Sequence, residues 1–144
     1  RGLGDVYKRQ LLWFGLCTGL PTNPLRVAVT AVGMVVFAVL GIWSSEIEAE
    51  RRREGDPRPI VVDEAAGQWL TFLVALPFLP LLTTAQLALF AGAGFLLFRF
   101  FDVVKVWPIK VFEKFPGGIG IVADDLAAGY FAAACLVIGW KILA

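Results

Sequence analysis

Phe115-Pro-Gly-Gly-Ile-Gly-Ile-Val-Ala-Asp-Asp-Leu-Ala-Ala-Gly-Tyr130 decides how this chain is read. A glycine-rich turn leads into two adjacent carboxylates, and an apolar run then continues to Ala144. Carboxylates at the mouth of an apolar helix are costly unless they are solvated or used. Asp63-Glu64 stands in the same position before a second apolar run. Two acidic helix mouths on an apolar chain point to a cation site facing a charged substrate.

The chain of 144 residues is 58% apolar, with a mean hydropathy of +0.76. That exceeds the usual share in soluble domains. Apolar residues come in blocks over 25–43, 65–82, 85–101 and 126–144, each near the ~20 residues that cross a bilayer core. Leu11–Leu20 is a shorter run that reads as a truncated or tilted span. The expected fold is therefore all-α: a polytopic membrane helical bundle of four to five spans, counted as 11–22, 25–43, 65–82, 85–101 and 123–143. Residues 1–10 differ in character and lack an initiating Met. They read as a foreign or misread start to an N-terminally incomplete chain, leaving 11–144 as a single membrane helical domain.

Loop charge orients the spans. Arg51, Arg52, Arg53 and Arg58 fall in one loop, and Lys105, Lys110 and Lys114 in another. Lys8 and Arg9 precede the first span. Basic residues favour the cytoplasmic side, so these segments are placed there. Asp63, Glu64, Asp102, Asp124 and Asp125 then share the cytoplasmic face, although they come from three spans. The run Ser44–Glu54 reads as a solvated extension of the second helix, with Glu–Arg pairs at helical spacing.

The chain holds no histidine, which removes histidine bases, histidine metal ligands, phosphohistidine chemistry and Ser-His-Asp triads. Neither Cys17 nor Cys135 has an arginine six residues on, as a cysteine phosphatase loop needs. Both cysteines read as buried thiols. No P-loop or dinucleotide fingerprint occurs, and no basic stretch suggests nucleic acid. Carboxylates, lysine, arginine, backbone amides and a metal remain for catalysis.

Each acidic pair has a structural reading beside its chemical one. Asp63 and Glu64 suit a helix cap and first turn. Gly67, one turn on, permits close helix approach and would press this mouth against another. Asp124-Asp125 repeats the layout, with Gly129 four residues after Asp125, and a cap needs only one acid. Hard oxygen donors of this kind suit Mg²⁺, which keeps waters and bridges to phosphate. Gly117, Gly118 and Gly120 are either a flexible turn or free backbone amides for a phosphate at a helix start. Arg99, Asp102 and Lys105 lie close to one helix face, with Lys110 beyond. They read as an interfacial cluster beside Trp107, or as metal (Asp102) and phosphate (Arg99, Lys105, Lys110) contacts.

Together, Val61–Thr71, Phe98–Lys110 and Gly117–Gly129 resemble the motifs of the phosphatidylglycerophosphatase A family, in the family's order. The second motif departs from the family's pattern at Val106, where proline is usual. A Gly-, Pro- and Thr-containing segment before the family's first full span has no match here. The resemblance implies a Mg²⁺-dependent phosphoric monoester hydrolase of the bacterial inner membrane, with its site facing the cytoplasm. Its substrate would be phosphatidylglycerophosphate, its products phosphatidylglycerol and phosphate, and its setting phospholipid biosynthesis. Asp63, Glu64, Asp124 and Asp125 carry over as catalytic acids. Asp63, Glu64, Asp102 and Asp125 are the metal candidates. Arg99, Lys105, Lys110, Gly117, Gly118 and Gly120 are the substrate-binding candidates. Partners are the lipid substrate and the bilayer, with no nucleic acid. The oligomeric state, acyl preference, metal number and choice between water and carboxylate nucleophile stay open. A CDP-alcohol phosphotransferase is disfavoured because no further acid follows Asp125. The alternative from another class is a small cation-binding membrane transport or assembly subunit.

Overall fold

The computed structural model describes residues 2–53, 62–112, 114–115 and 118–143. Among them are six α-helices and no strand: α1 (Gly2–Thr18), α2 (Asn23–Arg53), α3 (Val62–Ala75), α4 (Thr84–Val104), α5 (Ile109–Phe112) and α6 (Gly118–Leu143). Contacts fix their directions. Gly33 and Phe37 of α2 meet Trp69 of α3, while Asn23 bonds the Leu79 carbonyl, so α2 and α3 are antiparallel. Phe101 meets Phe131 and Phe90 meets Trp140, so α4 and α6 are antiparallel. Consequently α1, α3 and α6 run one way, and α2 and α4 the other.

Aromatic packing fills the centre. Trp13 stacks on Phe72 with ring centroids 4.0 Å apart, and Phe90 leans on both. Offset aromatic pairs of this kind add to simple area burial. Trp13 Nε1 donates to Thr30 Oγ1 at 2.9 Å, so the indole's polar edge is satisfied inside the bundle. At the bundle end away from the acids, Arg26 is buried. Its guanidinium donates to the carbonyls of Leu20 and Leu82 at 3.3 and 3.0 Å. The one charge near the start of α2 thus ties two loops together.

Three helical stretches are long and apolar enough to cross a membrane among the described residues: Asn23–Ser45, Thr84–Val104 and Val122–Leu143. Their outer faces expose Val32, Val35, Val36, Val39, Leu89, Leu96, Ile138 and Ile142. So broad an apolar surface is foreign to soluble monomers and suits lipid. The expected span 65–82 is not one helix. α3 stops at Ala75, and a 3₁₀ turn covers Leu76–Phe78. Leu79 is extended. Pro77 and Pro80 have no N–H to continue the ladder, which ends the helix there. α1 is also shorter than a full span, and α2 continues as helix through Arg53.

α4 starts on a capping box. Thr83 Oγ1 accepts from Gln86 N, and Gln86 Oε1 accepts from Thr83 N at 3.0 Å. It ends on Lys105, whose φ of 45° is left-handed and whose N–H closes on the Phe101 carbonyl at 2.9 Å. That turn directs the chain into α5 and back to α6.

Candidate functional site

α3 and α6 approach closely enough for backbone to meet backbone. A Cβ on Gly67 would fall on the backbone carbonyl of Asp125 and 2.6 Å from the Phe98 ring. A Cβ on Gly129 would fall on the carbonyl of Gly67. Thr71 Oγ1 lies 3.1 Å from the Gly67 carbonyl and 3.2 Å from the Gly129 carbonyl, bonding across the same contact. Missing side chains therefore let two backbones touch, as the paired glycines predict. The register puts the start of α3 beside the acidic turn of α6.

α4 supplies the cations. Arg99 Nη1 is 3.1 Å from Glu64 Oε2 of α3 and 2.9 Å from Asp102 Oδ2 of its own helix. One guanidinium nitrogen thus holds two carboxylates. Lys105 Nζ reaches Asp124 Oδ2 of α6 at 2.7 Å. Asp124 and Asp125 are both buried, at 6% and 5% exposure. These ion pairs join α3, α4 and α6 at one end of the bundle. Burial drives the Glu64 carboxyl above its ordinary value. Arg99 opposes this, Asp102 adds to it, and Arg9 of α1 weakly opposes it.

Not every expectation has its expected setting. Asp124-Asp125 is not a helix start: α6 begins at Gly118, so both acids lie well inside the helix, where no cap is needed. Their burial there makes pairing, rather than solvation, the means of holding charge. Gly120 is buried, and a Cβ on it would meet the Phe115 carbonyl, so its missing side chain admits the preceding turn. Gly118 opens α6, and Gly117 lies outside the described residues. Asp63 is in the first turn of α3, with its side chain outside the described set. Lys110 is exposed on α5, outside the ion pairs given above.

The donor chemistry is all oxygen and all anionic, which fits a hard divalent cation. Glu64 and Asp102 already converge on one positive centre, Arg99. Among the described residues, no three acidic or thiol groups meet closely enough to hold a metal.

Two residues escape a reading from motif chemistry. Arg9 lies 5.8 Å from the Phe37 ring centroid and contributes its charge to Glu64, although residues 1–10 read as foreign. Gln68 is buried at 2% exposure, one helical turn from Glu64. Its signal in the sequence is a lone amide inside an apolar run at i+4 from an acid. Between α5 and α6 lies an open apolar groove of about 490 Å³. Pro108, Phe112, Ala123, Ala127 and Tyr130 help line it, and Ala123 precedes Asp124 in α6.

A family model described as phosphatidylglycerophosphatase A matches residues 5–140. A Bacteroides thetaiotaomicron protein provisionally named phosphatidylinositol-3-phosphatase is 33% identical over 91% of this chain and 77% of its own. The phosphatidylglycerophosphatase A of Escherichia coli K12 is 37% identical over 86% of this chain and 64% of its own length. That of Haemophilus influenzae Rd is 42% identical over 75% of this chain and 62% of its own. The chain thus spans somewhat under two thirds of the length of these last two relatives. No solved structure matches it.

Proposed function

This chain belongs to the phosphatidylglycerophosphatase A family, and from that premise we propose that it is a Mg²⁺-dependent phosphatase of the bacterial inner membrane. It removes the terminal phosphomonoester of phosphatidylglycerophosphate, leaving phosphatidylglycerol and phosphate. The relatives' names share one chemistry, a phosphomonoester on a hydroxyl-bearing lipid headgroup. The observation that carries the reading is the cluster of Glu64, Arg99, Asp102, Lys105 and Asp124, built from three helices at one end of an apolar bundle. A lipid phosphate needs such a place: charged, fixed and at the edge of an apolar body.

In this reading α1 and α3 also lie in the bilayer, as short members of a five-helix set. The basic loops keep the cluster on the cytoplasmic side. Carboxylates drawn from Asp63, Glu64, Asp102 and Asp125 would hold Mg²⁺, which when bound supplies charge neutralisation on phosphoryl oxygens and a more acidic water. Arg99 and Lys105 orient the phosphoryl group and stabilise its charge in the transition state. In the absence of substrate their charges are matched by Glu64, Asp102 and Asp124. An arriving phosphate therefore exchanges one anionic partner for another. The amides at the start of α6 face the same end and add donors. The apolar groove between α5 and α6 gives an acyl chain a path from the bilayer to the cluster.

The test is phosphate release from phosphatidylglycerophosphate in detergent, with Mg²⁺ or with EDTA. Release with Mg²⁺, loss with EDTA and loss in a folded Asp125→Asn variant support the assignment. Near-normal turnover by Asp125→Asn refutes the assignment of Asp125 to the chemistry. No release by the folded wild type favours transport or assembly.

A further inference from the structure

Among the described residues, Gln68 is a buried polar side chain that takes no part in the ion pairs and lies one helical turn from Glu64. Both its amide atoms, Oε1 and Nε2, are buried without a hydrogen-bond partner, and the residue is 2% exposed. An amide sealed in this way forfeits its hydration, so an apolar residue of similar shape would be the more stable choice. Gly67, beside Gln68, touches the Asp125 carbonyl and the Phe98 ring. Glu64 is four residues earlier, on the same side of α3 and one turn of about 5.4 Å away. Helical side chains lean toward the N-terminus of their helix, which here is the end holding Glu64 and Arg99. That lean would carry the amide toward the Glu64–Arg99 ion pair one turn away.

From this placement we infer that Gln68 binds a hydroxyl of the lipid headgroup and so selects among lipid phosphomonoesters. A primary amide offers one strong acceptor and two donors, and an alcohol hydroxyl both donates and accepts. The match is to a neutral alcohol rather than to the phosphate, which Arg99 and Lys105 serve. With the phosphate at the cluster, a headgroup hydroxyl a few bonds away reaches one turn deeper, to Gln68. The inference rests on the lipid phosphatase reading above.

The experiment compares wild type, Gln68→Met and Gln68→Ala in detergent with Mg²⁺. Two substrates are used: phosphatidylglycerophosphate, and an analogue whose free headgroup hydroxyl is replaced by hydrogen. Wild type should prefer the hydroxyl-bearing lipid in kcat/KM by roughly tenfold or more, since a site built for a hydroxyl rejects the analogue lacking it. Gln68→Met should lose that preference, through the hydroxyl-bearing lipid alone, while keeping or raising Tm. Full preference in a folded Gln68→Met overturns the inference. So does an equal loss on both lipids, which would move Gln68 to holding water. Failure of both variants to fold makes Gln68 structural and also overturns it. An inactive, folded wild type refutes the phosphatase reading itself, and the inference falls with it.

Discussion

Gly67→Ala tests the contact on which the whole site depends. The added Cβ would meet the Asp125 carbonyl carbon at 2.9 Å and the Phe98 ring at 2.6 Å, with the carbonyl oxygen nearer still. Ordinary carbon contacts begin near 3.5 Å, so α3 and α6 must part by about 1 Å. The obstacle is backbone, which no rotamer change can move aside. Overpacking of this kind costs roughly 1–3 kcal/mol. The same displacement separates Glu64 from Asp124, and a shift of about 1 Å in a reacting site costs on the order of 100-fold in rate. Gly129→Ala meets the same contact from the other side. Its effect should add to the first by less than the sum, because the helices have already parted. Gly92→Ala is the control, with nothing within 4 Å of its Cβ. It should raise stability by about 0.5–1 kcal/mol through helix propensity. Tm in detergent and phosphate release per folded protein read the two effects. Wild-type Tm and turnover in Gly67→Ala would refute the reasoning, since the glycine would then not be holding the helices together.

Arg99→Lys should lower kcat/KM by about tenfold or more, because a point ammonium cannot present the planar fork that holds carboxylate and phosphate together; unchanged steady-state kinetics would exclude Arg99 from phosphate binding. Lys105→Met leaves the buried Asp124 carboxylate without its 2.7 Å ammonium and should cost about 2 kcal/mol. Adding Asp124→Asn should restore most of the Tm, and a double variant as unstable as the single one would count against the pair. Glu64 carries a pKa raised by burial, so the folded state binds its proton more tightly than the unfolded chain does. Its stabilising effect is complete below the ordinary value of 4.5 and fades as pH rises through the raised folded value. In metal-free buffer the Tm of Glu64→Gln should therefore gain on wild type as pH rises across that window; parallel pH profiles would refute the burial account.

The sequence alone determined the class of the molecule and the end where its acidic and basic side chains gather. Apolar blocks of bilayer length can only be helices, because every backbone group in lipid must bond within its own segment. Basic loops bracket those blocks, so the acids beside them share one side, and Arg99, Lys105, Glu64 and Asp124 do meet there. Gly67 and Gly129 were legible for the same local reason: a glycine one turn from an acid marks a close crossing. Helix boundaries were less legible. Pro77 ends α3 early, whereas the glycine run 118–120 enters α6 as helix and carries Asp124 and Asp125 into the interior. A glycine's local preference is weak, and within the helix Gly120 leaves room for the Phe115 carbonyl. Only the tertiary structure could decide which cation serves which acid, that one Arg99 nitrogen serves two, and that Arg9 lends its charge to Glu64. The partners are separated along the chain by whole helices, and no local rule specifies the rotation of one helix against another. That rotation is set where Gly67 and Gly129 let α3 and α6 touch.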